Sequence, residues 1–312
     1  MTTRVLVTGG AGFLGSVLCE HLLDAGYQVT ALDTLLFAQQ SNFHLCANPN
    51  YDFIFGDVRD EALMKKAIAG ADVIIPLAAI VGAPAYDRDP WLAKSTNFEA
   101  IKLLTKLRSK DQLMVYPTTN SGYGTKSGDV FCTEESALEP ISLYGQTKVD
   151  AEKAVLDAGN SVTLRLATVF GFSPRMRLDL LVNHFVYTAF TDGYIIIFEK
   201  DFKRNFVHIR DVADCFLHCI KNSKQMNGQP FNVGLDAANM SKEELALKVK
   251  EHVPKFFIHF SELGSDPDKR NYVVSNEKLR RAGFEASRSI DQGIQELLKG
   301  YQMLRRGAMK NV

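Results

Sequence analysis

The sequence predicts an α/β protein, a Rossmann-type doubly wound parallel sheet with a smaller C-terminal α/β substrate lobe. Three observations carry that expectation. Short apolar runs alternate with helical apolar periods through the first half of the chain. The first run, Val5-Leu6-Val7, feeds a glycine-rich turn, Thr8-Gly9-Gly10-Ala11-Gly12-Phe13-Leu14-Gly15. The second run ends in an acid, Asp33. Strand–helix alternation of this kind builds a parallel sheet covered on both faces.

The elements follow in order. Val5–Thr8 is a buried strand, and Phe13 to Ala25 is a helix stopped by Gly26. Tyr27–Leu32, Tyr51–Phe55 and Asp72–Leu77 are the next strands, with a helix over Asp60–Ala69 closed by Gly70. Trp91–Leu107 is helical, Leu113–Pro117 a strand, Ile141–Ala158 contains a helix, and Val162–Leu166 is a sixth strand. After Gly171 the alternation loosens. Leu178–Phe190, Val212–Lys221, Lys242–Val253 and Ile290–Leu304 read as helices, and Tyr194–Phe198 as extended. The expected division is a dinucleotide-binding domain over 1–170 and a substrate lobe over 171–312, with some elements crossing back. No Pro/Ser-rich linker separates them, so the lobes are expected to be fused. The basic tail, Arg305 to Lys310, is expected to be a solvated end.

Composition excludes several classes. The 312 residues are 46% apolar, enough for a large core. Lys plus Arg equals Asp plus Glu, 36 each, so no net field draws in nucleic acid or an anionic membrane. The first residues lack the pattern of a signal peptide, and no apolar stretch reaches transmembrane length. Cys19, Cys46, Cys132, Cys215 and Cys219 are an odd, scattered set, expected to be reduced thiols of a cytoplasmic protein. Cys215 and Cys219 lie four apart with no second ligand cluster, so a buried helix face is expected there and no metal site.

The turn after the first strand has the geometry of a dinucleotide site. Gly9 and Gly10 allow a tight turn, Gly12 lets pyrophosphate oxygens approach the backbone, and Gly15 lets helix and sheet pack closely; Phe13 and Leu14 of the same turn are expected to contact the cofactor. A preceding strand, a following helix and Asp33 supply the context that a glycine pattern needs. The Asp33 carboxylate would accept from ribose hydroxyls and repel a 2′-phosphate, which favours NAD over NADP. Asp57-Val58 is expected near the adenine.

The second motif is Tyr144-Gly145-Gln146-Thr147-Lys148. A Tyr and a Lys four apart share one helix face. The ammonium, with a positive nicotinamide ring, would favour the phenolate and lower the phenol's pKa. A tuned phenol could then take a proton from a sugar hydroxyl while the carbon-bound hydrogen leaves as hydride. Thr118 and Thr119, just past the fifth strand, could assist the same oxygen.

At these residues the chain resembles the extended short-chain dehydrogenase/reductase family, the sugar-nucleotide epimerases, dehydratases and reductases. The likeness covers nearly all of the sequence. Gly9/Gly12/Gly15, Gly56-Asp57, Leu77-Ala78-Ala79, Asn97, Tyr116 to Gly124, Tyr144/Lys148, Leu164-Arg165 and Arg204 to Asp211 fall in the family's order. The resemblance implies bound NAD, contacted also by Leu77, Ala78, Ala79 and Asn97, and a nucleoside-diphosphate sugar in the interlobe cleft. It puts Thr119 at the catalytic Ser/Thr beside Tyr144 and Lys148. It also implies a homodimer through helices near Asn97–Arg108 and Tyr144–Asp157.

Departures from the family's pattern narrow the chemistry. The 4,6-dehydratases carry Asp-Glu, or at least the Glu, after the catalytic Thr; here the positions are Asn120 and Ser121, and neither is an acid. The 3,5-epimerising relatives place a Cys where Ser121 stands. Pro76 replaces the common His, and Ala167-Thr168 the usual Phe-Asn. What remains is oxidation and re-reduction at one carbon, C4 first and C2 as in the tyvelose-type epimerases second, or a one-way ketoreduction by NAD(P)H. A non-catalytic NAD-binding module would have no need of both Tyr144 and Lys148. For the diphosphate and sugar, the expected contacts are Arg204, Arg175, Arg270, Asn183, Asn120, Ser121 and Val81, the last in a sugar wall over Ile80–Pro84.

Overall fold

The computed structural model describes residues 2–126, 131–264 and 270–304, so the basic tail and its expected solvation lie outside the described residues. In chain order the strands are β1 (Arg4–Thr8), β2 (Gln28–Asp33), β3 (Tyr51–Phe55), β4 (Val73–Pro76), β5 (Leu113–Thr119), β6 (Phe131–Cys132) and β7 (Ser161–Leu166). There follow β8 (Thr168–Phe170), β9 (Tyr194–Phe198), β10 (Lys203–His208), β11 (Gln229–Val233), β12 (Asn239–Ser241), β13 (Phe257–Ser261) and β14 (Val273–Val274).

One parallel seven-stranded sheet dominates, in the order β11-β7-β5-β4-β1-β2-β3. Successive side chains of a strand point to opposite faces, and two separate cores result. Val5 and Val7 of β1 join Val17, Leu18 and Leu22 of helix Phe13–Asp24 and Val212 and Phe216 of helix Ile209–Lys221. Leu6 of β1 and Met114 and Tyr116 of β5 join Ile101, Leu104, Ala151 and Val155 on the other side. Leu18 and Leu22 are wholly buried, and each contributes roughly 1.5–3 kcal/mol by leaving water. Cys215 and Cys219 belong to the first core, and all five cysteines are free thiols.

Two features of this fold escape periodicity. Its seventh strand, β11, comes from beyond residue 171 and adds to β7 at the edge. It starts Gln229-Pro230, and proline is tolerated in an edge strand because it lacks a donor for a further neighbour. The predicted helix Trp91–Leu107 is three pieces: Pro90–Lys94, a π-helical turn over Ser95–Glu99, and Ala100–Leu107. The wide turn carries Asn97, whose side chain is 1% exposed and pins the loop after β4.

The remaining strands make small sheets, β12-β10-β8, β13-β9 and β14-β6. A third core lies here, built by Phe170, Val182, Phe185, Phe206, Leu245, Ile294 and Leu297. β10 eludes an apolar pattern because Arg204, Asn205 and His208 are themselves buried. We propose the division at 1–170 and 171–312 for the two lobes, with β11 and helix Ile209–Lys221 crossing back. Among the described residues no helix is long and apolar enough to cross a membrane.

Candidate active site

The carboxyl ends of β1, β2, β4 and β5 gather the residues that the motifs single out. Gly9 turns the chain out of β1 with φ +69°, and a Cβ there would meet the Ala78 nitrogen at 2.6 Å. The turn therefore packs directly on the loop that follows β4. A Cβ on Gly15 would stand 2.1 Å from the Gly9 carbonyl oxygen. Gly10 is required for a different reason than a turn: its Cβ would strike the Ala31 side chain of β2 at 2.6 Å. Gly12 precedes helix Phe13–Asp24 with no side chain capping the helix, and a Cβ there would find only the Gly9 oxygen nearby, at 3.1 Å. An uncapped helix N-terminus beside an open glycine leaves N–H donors for an anion, so this cradle fits a dinucleotide pyrophosphate.

Asp33 lies at the end of β2 and is 8% exposed. Its Oδ2 accepts from the Ala11 N–H at 3.0 Å, and its Oδ1 from the Leu35 N–H at 2.8 Å and Gln39 Nε2 at 3.2 Å. Burial raises its pKa, against those backbone donors and Arg175, which lower it. Each carboxylate oxygen has two lone pairs, so acceptor capacity is left over. Asp57 is gripped by Arg59, whose Nη2 donates to Oδ2 at 2.6 Å, and that grip lowers its pKa. Val58 packs against the same core as Tyr116. Asn97 donates to the Ile80 carbonyl and accepts from the Ile80 N–H, both at 2.8 Å, which holds the segment carrying Leu77, Ala78 and Ala79.

The residues expected to transfer protons lie on the end of β5 and on helix Leu143–Asp157. Ser142 caps that helix by accepting from the Gly145 N–H at 3.1 Å. Gly145 lies close to the loop after β5: a Cβ on it would be 3.5 Å from the Ser121 carbonyl oxygen. In that loop Thr119 Oγ1 donates to Ser121 Oγ at 3.0 Å, and Arg270 donates to the same Ser121 hydroxyl. Thr118 is buried, with its hydroxyl directed to the Lys148 carbonyl at 3.4 Å, so Thr119 is the threonine on the cleft side. Asn120 is wholly buried, and neither atom of its amide has a partner among the described residues.

Electrostatics here differ from the expectation in one respect. Burial of the Tyr144 hydroxyl pushes its pKa above the ordinary tyrosine value, and the cations opposing that rise are Arg177 and Arg270. Lys148 is 5% exposed, with its ammonium 4.2 Å from the centre of the Tyr116 ring. Burial lowers its pKa to about 7, opposed by Glu152. The lysine thus gives up its proton more readily than a lysine in water does, because it has been taken out of water.

This has a consequence for stability. An unfolded lysine titrates near pH ~10.4, so between about 7 and that value the unfolded state binds more protons than the folded one. The contribution of Lys148 to the stability of the NAD-free protein therefore rises with pH across that window. Lys148→Met should remove that contribution and leave the variant more stable at pH 6, by on the order of 4 kcal/mol. Urea unfolding at several pH values checks this, and an unchanged slope would refute it.

The substrate-side candidates divide. Arg270 reaches the Thr119–Ser121 loop, and Val81 is 37% exposed beyond β4. Of the adjacent wall, Ala83 and Pro84 have side chains outside the described set. Arg175 lies elsewhere than the substrate side expected for it: its guanidinium stacks 4.6 Å over the Phe37 ring and acts on Asp33 at the end of β2. Asn183 departs from its expected place too. Its Oδ1 accepts from the Gly171 N–H at 3.0 Å and its Nδ2 donates to the Arg177 carbonyl at 2.9 Å, so the amide braces backbone. Arg204 is 3% exposed, over the Tyr272 ring at 5.7 Å, with Nη1 on the Lys203 carbonyl. Sequence reasoning passed over Glu152, and named Tyr116 and Arg165 only as members of the family's segments, with no role at the site. The spacing of Glu152, four beyond Lys148, was the available signal.

Residues 5–234 match the profile of the NAD dependent epimerase/dehydratase family. The chain belongs to this family. NAD is accordingly its cofactor, in agreement with the cradle at Gly9, Gly12 and Gly15. Among curated proteins it is similar to the uncharacterized UDP-glucose epimerase YtcB of Bacillus subtilis, 29% identical over 317 residues, 93% of this chain and 95% of the relative. It is also similar to the low-salt glycan biosynthesis protein Agl12 of Haloferax volcanii, 28% identical over 311 residues, 95% and 98% of the two chains. Among solved structures its fold matches UDP-glucuronic acid 4-epimerase from Bacillus cereus, in complex with UDP-glucuronic acid and NAD. The TM-score is 0.87 and the identity 24%, over 97% of this chain and all of that one. A dTDP-glucose 4,6-dehydratase from Bacillus anthracis in complex with NAD gives a TM-score of 0.83 at 23% identity, with 97% of each chain covered. These likenesses establish the Rossmann-like fold of this NAD-dependent epimerase/dehydratase.

Proposed function

We propose that this member of the family is a nucleoside-diphosphate-sugar epimerase that acts at C4. The observation that carries the reading is the make-up of the loop facing Tyr144 and Lys148: Thr119 is followed by Asn120 and Ser121, with no carboxylic acid. Elimination of water needs a group that hands a proton to the leaving hydroxyl, and an amide and an alcohol are poor at that. The names of similar curated proteins, a UDP-glucose epimerase and a UDP-arabinose 4-epimerase among them, support the same class.

In this reading Gly9, Gly12, Phe13, Leu14, Gly15, Asp33, Asp57, Val58, Leu77, Ala78, Ala79 and Asn97 hold the dinucleotide. NAD, when bound, supplies the hydride acceptor and donor. Tyr144 takes the proton of the sugar hydroxyl as that carbon becomes a ketone, and returns it when the carbon is reduced on its other face. Thr119 donates to the reacting oxygen. Lys148 favours the phenolate, and Arg177 and Arg270 add to that pull against the cost of burial. Arg270 and Arg204 are the cations for the diphosphate, and Arg270 would exchange its Ser121 contact for a phosphate oxygen. A cytoplasmic homodimer, through helices near Asn97–Arg108 and Tyr144–Asp157, belongs to the same proposal.

The test is incubation of the purified protein with UDP- and dTDP-hexoses in heavy water. The expected result is interconversion of C4 epimers, with no deuterium on carbon and no net use of NADH. Stoichiometric loss of added NAD(P)H with a keto sugar would make the protein a ketoreductase instead. A keto-deoxy product would make it a dehydratase.

A further inference from the structure

Glu152 and Arg165 form an ion pair buried on both sides, with side chains 5 and 6% exposed. Glu152 stands one helical turn beyond Lys148, on the buried face of helix Leu143–Asp157. Both of its oxygens are taken by Arg165: Nη2 donates to Oε1 at 2.7 Å, and Nε lies 3.1 and 3.2 Å from the two oxygens. The other end of the guanidinium is fixed as firmly. Nη1 donates to the Tyr123 hydroxyl and to the Glu134 carbonyl, each at 3.0 Å. Tyr123 in turn donates to Asn232 Oδ1 at 2.7 Å, and the Asn232 N–H donates to Glu134 Oε1 at 2.7 Å. The clamp is thus anchored on β7, on the edge strand β11 and on the loop after β5.

A buried ion pair is weak evidence for stability, since an apolar pair of the same volume is often as good. Its placement suggests another use. Lys148 rests on the Tyr116 ring in a setting that disfavours its charge, and Glu152 is the carboxylate that supports it. The other titratable groups around that face are Tyr144 on the same helix, Tyr116 from β5, Tyr123 and Glu134, and Tyr86, which reaches the neighbouring Thr147. None of these is an anion in contact with the ammonium. A glutamate without Arg165 could swing onto Lys148 and occupy its N–H donors. Held by the guanidinium, it acts through space alone.

We propose that the Glu152–Arg165 pair is a positioning device for Lys148: the clamped carboxylate supports the ammonium's charge from one turn behind and leaves its donors for the cleft. The proposal rests on the role given to Lys148 above, and its test is independent of turnover. Holoenzyme labelled with carbon-13 at lysine Cε is titrated by NMR, with the Lys148 signal identified by its loss in Lys148→Met. In Glu152→Gln the titration should move to lower pH by about one unit, a tenfold change in the dissociation constant. In Arg165→Met the freed carboxylate should move it to higher pH. A pair whose field does not reach the ammonium would shift neither titration. Unchanged titrations, or shifts in one direction, would overturn the proposal. If either single variant fails to fold, the double variant Glu152→Gln/Arg165→Met leaves no unpaired buried charge; its titration should still fall below that of the parent, and an unchanged value would overturn the proposal equally. Opposite shifts in a protein that converts no nucleotide sugar would instead count against the epimerase reading and leave this one standing.

Discussion

Tyr144→Phe should lower kcat for epimerisation by about 10²- to 10⁴-fold, the range for loss of a positioned acid–base group, and leave NAD bound. The ring still fills its place in the first turn of helix Leu143–Asp157, and only the hydroxyl is lost. That hydroxyl is buried and raised in pKa, so it gains nothing in stability from being an acid. The variant should therefore be at least as stable as the parent toward urea. Activity and stability separate because the group sits where a proton must move, at a cost in desolvation. Kinetics with the preferred nucleotide sugar, together with NAD released on denaturation, checks both halves. Retained turnover at more than a tenth of the parental rate would remove Tyr144 from the mechanism.

Gly15→Ala should abolish NAD retention and cost on the order of 3 kcal/mol of stability, the upper part of the range for overpacking. Its Cβ would meet the Gly9 carbonyl oxygen at 2.1 Å and the Gly10 Cα at 2.8 Å. Both are backbone atoms of the turn, so no side chain can move aside. The turn itself must shift, and with it the contact of Gly9 with Ala78. Gly26→Ala is the control: it has φ +84° but open space around it, so its cost is conformational alone and NAD should stay bound. Thermal unfolding with and without added NAD compares the two. Stabilisation of Gly15→Ala by NAD equal to that of the parent would contradict the role of this glycine.

The first half of the fold was legible because most of its long strands, β1, β4, β5 and β7 above all, are buried apolar runs close to turn residues. Gly9, Gly15, Asp33 and Asn97 follow from the same local patterns, and each is found at the end of a strand or across the loop from one. The second lobe was not legible to the same degree. β10 buries arginine, asparagine and histidine, and β11 opens on Gln-Pro, so neither shows the apolar signature on which periodicity depends. The places of Arg175 and Asn183 were not legible for a related reason. Their residue types fit a phosphate or a sugar, but one stacks on Phe37 and the other ties Gly171 to Arg177.

By itself the sequence determined the parallel sheet, the dinucleotide turn and the Tyr144/Lys148 face, since each depends on residues near one another in the chain. Tertiary structure alone decided the charge state of that face. A lysine's affinity for its proton depends on what lies over it and on how far water is excluded, and here those are Tyr116, Glu152 and Arg165, brought together from β5, the helix and β7.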